Sequence, residues 1–269
     1  MHYRTQLFVP GNRPERFEKA CAAGADLVCI DLEDAVSEGE KDKAREFTFD
    51  FLERGHAPNV SLRINPPDTD AGKADIKALR QCGFTLPFIM APKASDLAQM
   101  TRLDKALPKA LGPLFVIIES AAGVINCAQI FSHPRVGFGM YGAIDYAGDT
   151  GCDMSWETHL FARSHCVAAA SAHNVTLFEG PFTDVRDNEA CEISTRRSKG
   201  LGLLARSAIH PAQIPAILAG LAPSRAEIEQ ARRVIDAYDA AGGNAALLDG
   251  KFIEIPVVKS ARRILSHSA

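Results

Sequence analysis

The chain has 269 residues, 46% of them hydrophobic and 23% charged, with 30 basic against 33 acidic side chains and a formal charge of −3. That is ample apolar material for one large core, and the near balance excludes a nucleic-acid or acidic-membrane surface as the organising theme. No uninterrupted apolar run reaches bilayer length, Met1-His2-Tyr3-Arg4-Thr5 leads into a strand too short for a signal segment, and seven cysteines without a Cys-x-x-Cys argue against a disulfide framework or a zinc site, so a cytoplasmic protein with no nucleic-acid or membrane partner is expected.

In chain order, Gln6-Leu7-Phe8-Val9 reads as a short strand closed by Pro10-Gly11. Pro14 suits the first turn of a helix that puts Phe17, Ala20 and Cys21 on one face and stops at Gly24. Leu27-Val28-Cys29-Ile30 then runs into Asp31-Leu32-Glu33-Asp34. So apolar a run predicts a strand buried on both faces. Unpaired buried carboxylates are costly, so the acids mark its end, where Asp31 and Asp34 either cap the next helix or face a ligand.

A charged helix is predicted over 38–54, a strand over 60–64 closed by Asn65-Pro66-Pro67, a helix over 70–82, and a strand over 88–90 ending at Ala91-Pro92-Lys93. Leu97, Met100, Leu103 and Leu107 recur at helical spacing behind Ser95, the expected cap. Leu114-Phe115-Val116-Ile117-Ile118 is the strongest strand, with Glu119 at its end, and Val124, Ile125, Ala128 and Phe131 mark the next helix. A glycine-rich strand over 136–140 leads into an expected polar loop through Tyr141-Gly142-Ala143-Ile144-Asp145. A helix over 156–173, a strand over 175–178 ending at Glu179-Gly180-Pro181, a polar helix over 185–199, a strand over 206–209 ending at His210-Pro211, and a helix through Ile214, Ile217 and Leu218 complete the alternation.

Eight strands alternating with helices at intervals of roughly 25–30 residues predict a (β/α)8 TIM barrel over 1–222. A doubly wound sheet is the alternative, but a barrel gathers these polar strand ends around one mouth. From 223 to 269 the sequence predicts a C-terminal helical extension. Ser224-Arg225-Ala226-Glu227 is a capping box, Ile228, Ala231, Ile235 and Tyr238 form a stripe, Gly242-Gly243 reads as a hinge, and Phe252, Ile253 and Ile255 precede a last amphipathic helix. Its apolar face is expected to pack on a neighbouring subunit.

Two glycine motifs, Gly137-Phe138-Gly139-Met140-Tyr141-Gly142 and Gly200-Leu201-Gly202-Leu203-Leu204-Ala205, match a dinucleotide fingerprint. That motif must follow a strand and open a helix. The first reads into the polar loop and the second into the eighth strand, so neither predicts a nicotinamide or flavin site.

The strand ends offer Glu33 and Asp34, Arg63 and Asn65, Lys93, Glu119, Asp145, Glu179 and His210. So many carboxylates tolerate one another only around a cation. Glu119 and Asp145, from adjacent strands, provide hard oxygen donors with room for water and substrate, as Mg2+ prefers; Mn2+ also fits. Glu119 as a helix cap, Asp145 as a turn residue, Lys93 as a surface lysine and His210 as a core histidine are the structural alternatives. Arg63, inside an apolar strand, needs an acid or an anionic ligand.

These residues carry a resemblance to the citrate lyase beta-subunit-like branch of the HpcH/HpaI aldolase/citrate lyase family. The matching stretches are 7–17, 24–36, Arg63-Ile64-Asn65, Pro92-Lys93, Ile118-Glu119-Ser120, Gly142-Ala143-Ile144-Asp145-Tyr146 and Ala208-Ile209-His210-Pro211-Ala212-Gln213-Ile214, which span nearly the whole chain. The resemblance implies a TIM barrel, a homotrimer or hexamer, and Mg2+ held by Glu119 and Asp145. It implies cleavage or formation of a carbon–carbon bond in a 3-hydroxyacyl thioester such as malyl-, citramalyl- or citryl-CoA. Arg63 would hold the thioester or keto oxygen, the amides around Gly142 and Ala143 the substrate carboxylate, Lys93 would join in substrate binding, and Glu33 and Asp34 would order metal waters. The family's tail motif, Gly-x-x-x-Asp-x-Pro, brings an acid into a neighbour's active site. Here it is Gly250 to Pro256, with Glu254 in place of aspartate, which moves the carboxyl by on the order of an ångström. A malyl-CoA thioesterase, an aldolase for free keto acids, a subunit acting on a carrier-bound thioester, and a non-catalytic binding protein are the competing readings.

Overall fold

The apolar runs that end on a carboxylate or a proline turn are all strands. In the computed structural model, which describes residues 3–55 and 58–266, these are β1 (Thr5–Pro10), β2 (Leu27–Asp31), β3 (Val60–Arg63), β4 (Ile89–Ala91), β5 (Leu114–Ile118), β6 (Val136–Tyr141), β7 (Thr176–Glu179) and β8 (Ala205–Ala208). They close into an eight-stranded barrel in chain order, with β1 pairing both β2 and β8 in parallel. The helices between them are α1 (Phe17–Cys21), α2 (Lys41–Glu53), α3 (Asp70–Leu79), α4 (Leu97–Ala106), α5 (Ala121–Phe131), α6 (Ala143–Thr150), α7 (Leu160–Ala172), α8 (Asn188–Leu201) and α9 (Gln213–Leu221). This is the (β/α)8 barrel that the sequence predicts. The chain divides into two units, Met1–Gly220 and Leu221–Ala269.

The barrel interior explains the continuous hydrophobicity of the strands. Every residue of β5 is buried. Phe115 and Ile117 turn inward to meet Leu27, Cys29, Phe88, Met90, Met140, Phe178 and Ala205, which leaves the alternate residues to pack under the helices. Phe115 lies 5.1 Å, centroid to centroid, from both Phe88 and Phe178. At about 1.5–3 kcal/mol for each fully buried large apolar side chain, this aromatic layer is a principal stabiliser of the closed sheet. The floor it builds leaves the strand C-termini as the chemically varied end.

Two local expectations are corrected. Ser95 does not cap α4; Asp96 is its N-cap and accepts from the Gln99 N–H at 2.7 Å. The two residues are both good caps, and the backbone turns helical one position later than the apolar spacing suggests. The segment after β6 is not a polar loop but α6, which begins immediately after Gly142 and ends on Gly151 in the left-handed conformation. The first glycine motif therefore belongs to a strand and a helix N-cap. The glycines of the second lie in α8 and at its left-handed cap, Gly202, before β8.

In the second unit, α10 (Arg225–Ala240) starts with the capping box of Ser224 and Glu227. Gly242 and Gly243 both have positive φ and end α10: Gly242 N–H donates to Asp239 O and Gly243 N–H to Tyr238 O, the pairing of a Schellman cap. A hairpin of β9 (Ala246–Leu248) and β10 (Lys251–Ile253) turns at Asp249-Gly250, both at positive φ, as a two-residue turn requires. The last helix, α11 (Ile255–Ser266), follows. Ala231, Val234, Ile253, Val258 and Ala261 form this unit's core, while Leu247, Phe252 and Ile255 stay exposed. Among the described residues no helix is long and apolar enough to cross a membrane.

Candidate active site

A cavity of about 810 Å3 opens at the C-terminal ends of the strands, with Asp34, Arg63, Glu119, Gly142, Asp145 and Arg206 in its wall. This is the face on which barrel enzymes carry their chemistry.

The β2–β3 register sets Asp31 beside Arg63. Arg63 donates from Nε to Asp31 Oδ1 at 2.7 Å and from NH2 to Asp31 Oδ2 at 2.5 Å, and its NH1 lies 2.9 Å from Glu33 Oε2. Burial works against the guanidinium's charge, but Asp31 and then Glu33 outweigh it and hold Arg63 firmly cationic. Asp31 also accepts from the N–H groups of Glu33 and Ala35, so it caps the following turn and clamps Arg63 together. The acid that Arg63 requires is thus Asp31, which the sequence reading leaves between a cap and a ligand-facing acid and does not pair with Arg63. Nothing local marks this role, because the pair is 32 positions apart in the chain.

Glu33, also buried, lies 3.0 Å from Lys93 Nζ, and Asp34 Oδ1 lies 3.8 Å from the same ammonium. Burial, opposed by Arg63 and Lys93, leaves the Glu33 carboxyl above its usual value. Lys93 has a left-handed backbone, φ 54°, and its N–H donates to Glu119 Oε1 at 2.7 Å. Glu119 itself is 4% exposed and does not cap α5, where Ser120 takes that place. A Cβ on Gly142 would come within 2.6 Å of Glu119 Cβ and 2.9 Å of Glu119 Oε2, so only glycine lets β6 pass this carboxylate. Asp145 sits in the first turn of α6 and lines the same cavity, not a solvent-facing turn. The N–H groups of the first turn of α6 open beside it.

Burial pushes the Glu119 carboxyl up to about 8, with Asp145 and Glu33 adding to the rise. On the β2 to α6 side of the mouth, five carboxylates, Asp31, Glu33, Asp34, Glu119 and Asp145, stand with two cations, Arg63 and Lys93. A buried excess of negative charge with oxygen donors alone fits a hard divalent ion such as Mg2+. Among the described residues no group of three or more His, Cys, Asp or Glu side chains is arranged to hold a metal. Two carboxylates with water and substrate oxygens is the arrangement Mg2+ commonly takes.

Other strand-end residues serve the scaffold. Asn65 donates from both its main-chain N–H and its side chain to Asp75 at 2.8 Å. His210 is not a core histidine: it is exposed, with Nδ1 accepting from the Ala212 N–H. Glu179 pairs with Arg163, Nε to Oε2 at 2.7 Å, and accepts from Ser198 Oγ at 2.9 Å. Arg163, Arg206 and Trp156 all line the cavity, and the sequence reading passes over them. Glu254, in the second unit, is exposed, and its carbonyl accepts from Val257 and Val258 at the start of α11.

An eight-stranded α/β barrel with acids and an arginine collected at its mouth defines an enzyme of the TIM-barrel class. The HpcH/HpaI aldolase/citrate lyase family model matches residues 4–211, and the chain belongs to that family. Similar proteins from Cereibacter sphaeroides include a (3S)-malyl-CoA thioesterase, 32% identical over 99% of this chain and 94% of its own length, and an L-malyl-CoA/beta-methylmalyl-CoA lyase, 34% identical over 98% and 94%. Among solved structures, Mycobacterium tuberculosis CitE in complex with magnesium, acetoacetate and coenzyme A is similar with a TM-score of 0.88 and 30% identity, covering 99% of this chain and 98% of that one.

Proposed function

We propose that this protein is a Mg2+-dependent carbon–carbon lyase that cleaves a 3-hydroxyacyl-CoA thioester of the malyl, citramalyl or citryl type to a keto acid and acetyl-CoA. The observation that carries the reading is the convergence of Glu119, Asp145, the α6 N-terminus and Arg63 on one cavity. Relatives named for malyl-CoA chemistry and a neighbour holding magnesium and coenzyme A support it.

Glu119 and Asp145 would hold the Mg2+, which when bound supplies Lewis-acid stabilisation to substrate oxygens. The Gly142 N–H is taken by Ile118 O at 3.0 Å, so the substrate carboxylate binds the N–H groups of the first turn of α6 from Ala143 onward, at the helix's positive end. As the hydroxyl passes its proton to a water held by Glu33 and Asp34 and becomes a carbonyl, the C–C electron pair passes to the carbon beside the thioester. The resulting enolate oxygen takes hydrogen bonds from Arg63, which Asp31 and Glu33 hold in place. Lys93 keeps Glu33 and Glu119 positioned, and Asp34 and Glu33 order water at the site. Glu254 of a neighbouring subunit protonates the carbon, in an assembly where exposed Leu247, Phe252 and Ile255 pack on that neighbour.

A thioesterase is the second reading, favoured by the relative of that name at 32% identity. Incubating the protein with Mg2+ and malyl-, citramalyl- and citryl-CoA separates the two. Glyoxylate, pyruvate or oxaloacetate released together with acetyl-CoA supports the lyase, and free CoA with the intact hydroxy acid supports the thioesterase.

A further inference from the structure

The mouth cavity has a second wall of opposite character, built by α7, β7, β8 and the start of α8. Among the described residues three guanidiniums line it: Arg197, exposed and paired with Glu157 at 2.9 Å, and two buried ones, Arg163 and Arg206, against which Glu179 is the one paired carboxylate. Arg163, 9% exposed, is paired with Glu179, and its guanidinium stacks 4.6 Å from the Trp156 ring centroid and 5.3 Å from that of Tyr141. Its NH1 is buried with no hydrogen-bond partner among the described residues.

Arg206 is 3% exposed. Its Nε donates to Gly180 O at 3.1 Å, and its NH1 donates to Ser194 Oγ at 3.1 Å and Thr195 Oγ1 at 3.0 Å. Among the described residues no carboxylate lies within ion-pair distance of it, and its NH2 has no protein acceptor. Burial pulls its ionisation below the ordinary value, with Glu179 working against the fall. An arginine nonetheless keeps its charge.

A buried charge calls for a partner. Glu179 offsets one of the two buried guanidiniums, and both line the cavity. Arg63 shows the contrasting case, its charge balanced by Asp31 and Glu33 with two N–H groups left over. The second wall also touches the first. A Cβ on Gly180 would lie 2.8 Å from Tyr141 O and 4.0 Å from Ala143 N, so the residue whose carbonyl Arg206 holds packs against the start of α6.

We propose that Arg206 and Arg163 form a second anion subsite, taking a carboxylate or phosphate group of the substrate other than the one held at the start of α6. Arg206 NH2 and Arg163 NH1 supply the donors, and Trp156 and Phe182 supply the aromatic faces beside them. The identity of the molecule that brings the group rests on the acyl-CoA reading above; the subsite itself does not.

Calorimetric titration of the full-length protein with succinate, acetate, CoA and pantetheine tests this without turnover. The unaltered protein is expected to favour succinate over acetate, or CoA over pantetheine, by about tenfold, as charge-assisted bonds to a desolvated guanidinium should. Arg206→Gln is expected to erase that preference. Loss of the succinate preference assigns a carboxylate, and loss of the CoA preference assigns a phosphate. Absence of both preferences in the unaltered protein, or their survival in Arg206→Gln, overturns the proposal. Should Arg206→Gln not fold, Arg206→Lys keeps the charge and removes the fork; unchanged binding in that variant overturns the proposal equally. Asp145→Ala is expected to keep the preference, and its loss there would overturn the proposal that the second subsite is distinct from the one at the start of α6. If the protein proves not to be a lyase, the titrations still read the subsite.

Discussion

The N–H of Lys93 donates to Glu119 Oε1 at 2.7 Å from a backbone in the left-handed region, φ 54°. A lysine gains nothing from that conformation by itself, which costs a residue with a Cβ on the order of 1–2 kcal/mol. The strain aims one main-chain donor at the candidate metal ligand and sends the ammonium back to Glu33. Lys93→Gly should therefore be more stable than Lys93→Ala by about 1 kcal/mol in denaturant unfolding, while both lose activity with the ammonium. Equal stability would remove the strain from the explanation.

Asp31 and Arg63 form a buried bidentate pair in which both partners hold other groups as well. Removing one side leaves an uncompensated charge, at a cost of about 3–5 kcal/mol. Asp31→Ala should lose that much stability in urea unfolding and release Arg63 from its place at the mouth. A variant as stable as the parent, with unchanged kcat, would show that Asp31 does not clamp Arg63.

The Glu119 carboxyl, pushed up to about 8 by burial, sets a pH dependence whose sign is the reverse of an ordinary ion pair. An acid with a raised folded-state value binds its proton more tightly when folded, so this group's contribution to stability falls as pH rises from its ordinary range towards 8. Mg2+ competes with that proton and relieves the charge once it is gone. The rise in Tm on adding Mg2+ should be larger at pH 9 than at pH 6. An equal rise at both values would separate Glu119 from metal binding.

Much of this architecture was legible in the sequence because burial and chemistry meet at the strand ends. Leu27 to Asp34 shows both in eight residues, and Ile118-Glu119 shows the same in two. The barrel followed from the repetition of that pattern. The residues that escaped notice are those whose partners are distant. Arg163 lies within α7, and its acid, Glu179, is 16 positions on in another element, so no local spacing announces the pair. Arg206 is the second residue of β8, between Ala205 and Ser207, and its acceptors, Gly180 O, Ser194 and Thr195, lie in other segments. The helix α6 was hidden by Gly148, Asp149 and Thr150, all weak helix formers; it starts directly after Gly142 and is closed by the left-handed Gly151.

The most direct test of the proposed chemistry is the Mg2+-dependent release of keto acid from malyl-, citramalyl- and citryl-CoA by the parent protein and by Asp145→Ala. Asp145 lines the cavity half-exposed in the first turn of α6, so its loss should leave the fold and Tm in place. The expected result is keto acid and acetyl-CoA from the parent and roughly a hundred- to thousandfold less, by the order of magnitude of lost electrostatic stabilisation, from the variant. Full keto acid release by Asp145→Ala, or free CoA without keto acid from the parent, would contradict a lyase built on the Glu119–Asp145 pair.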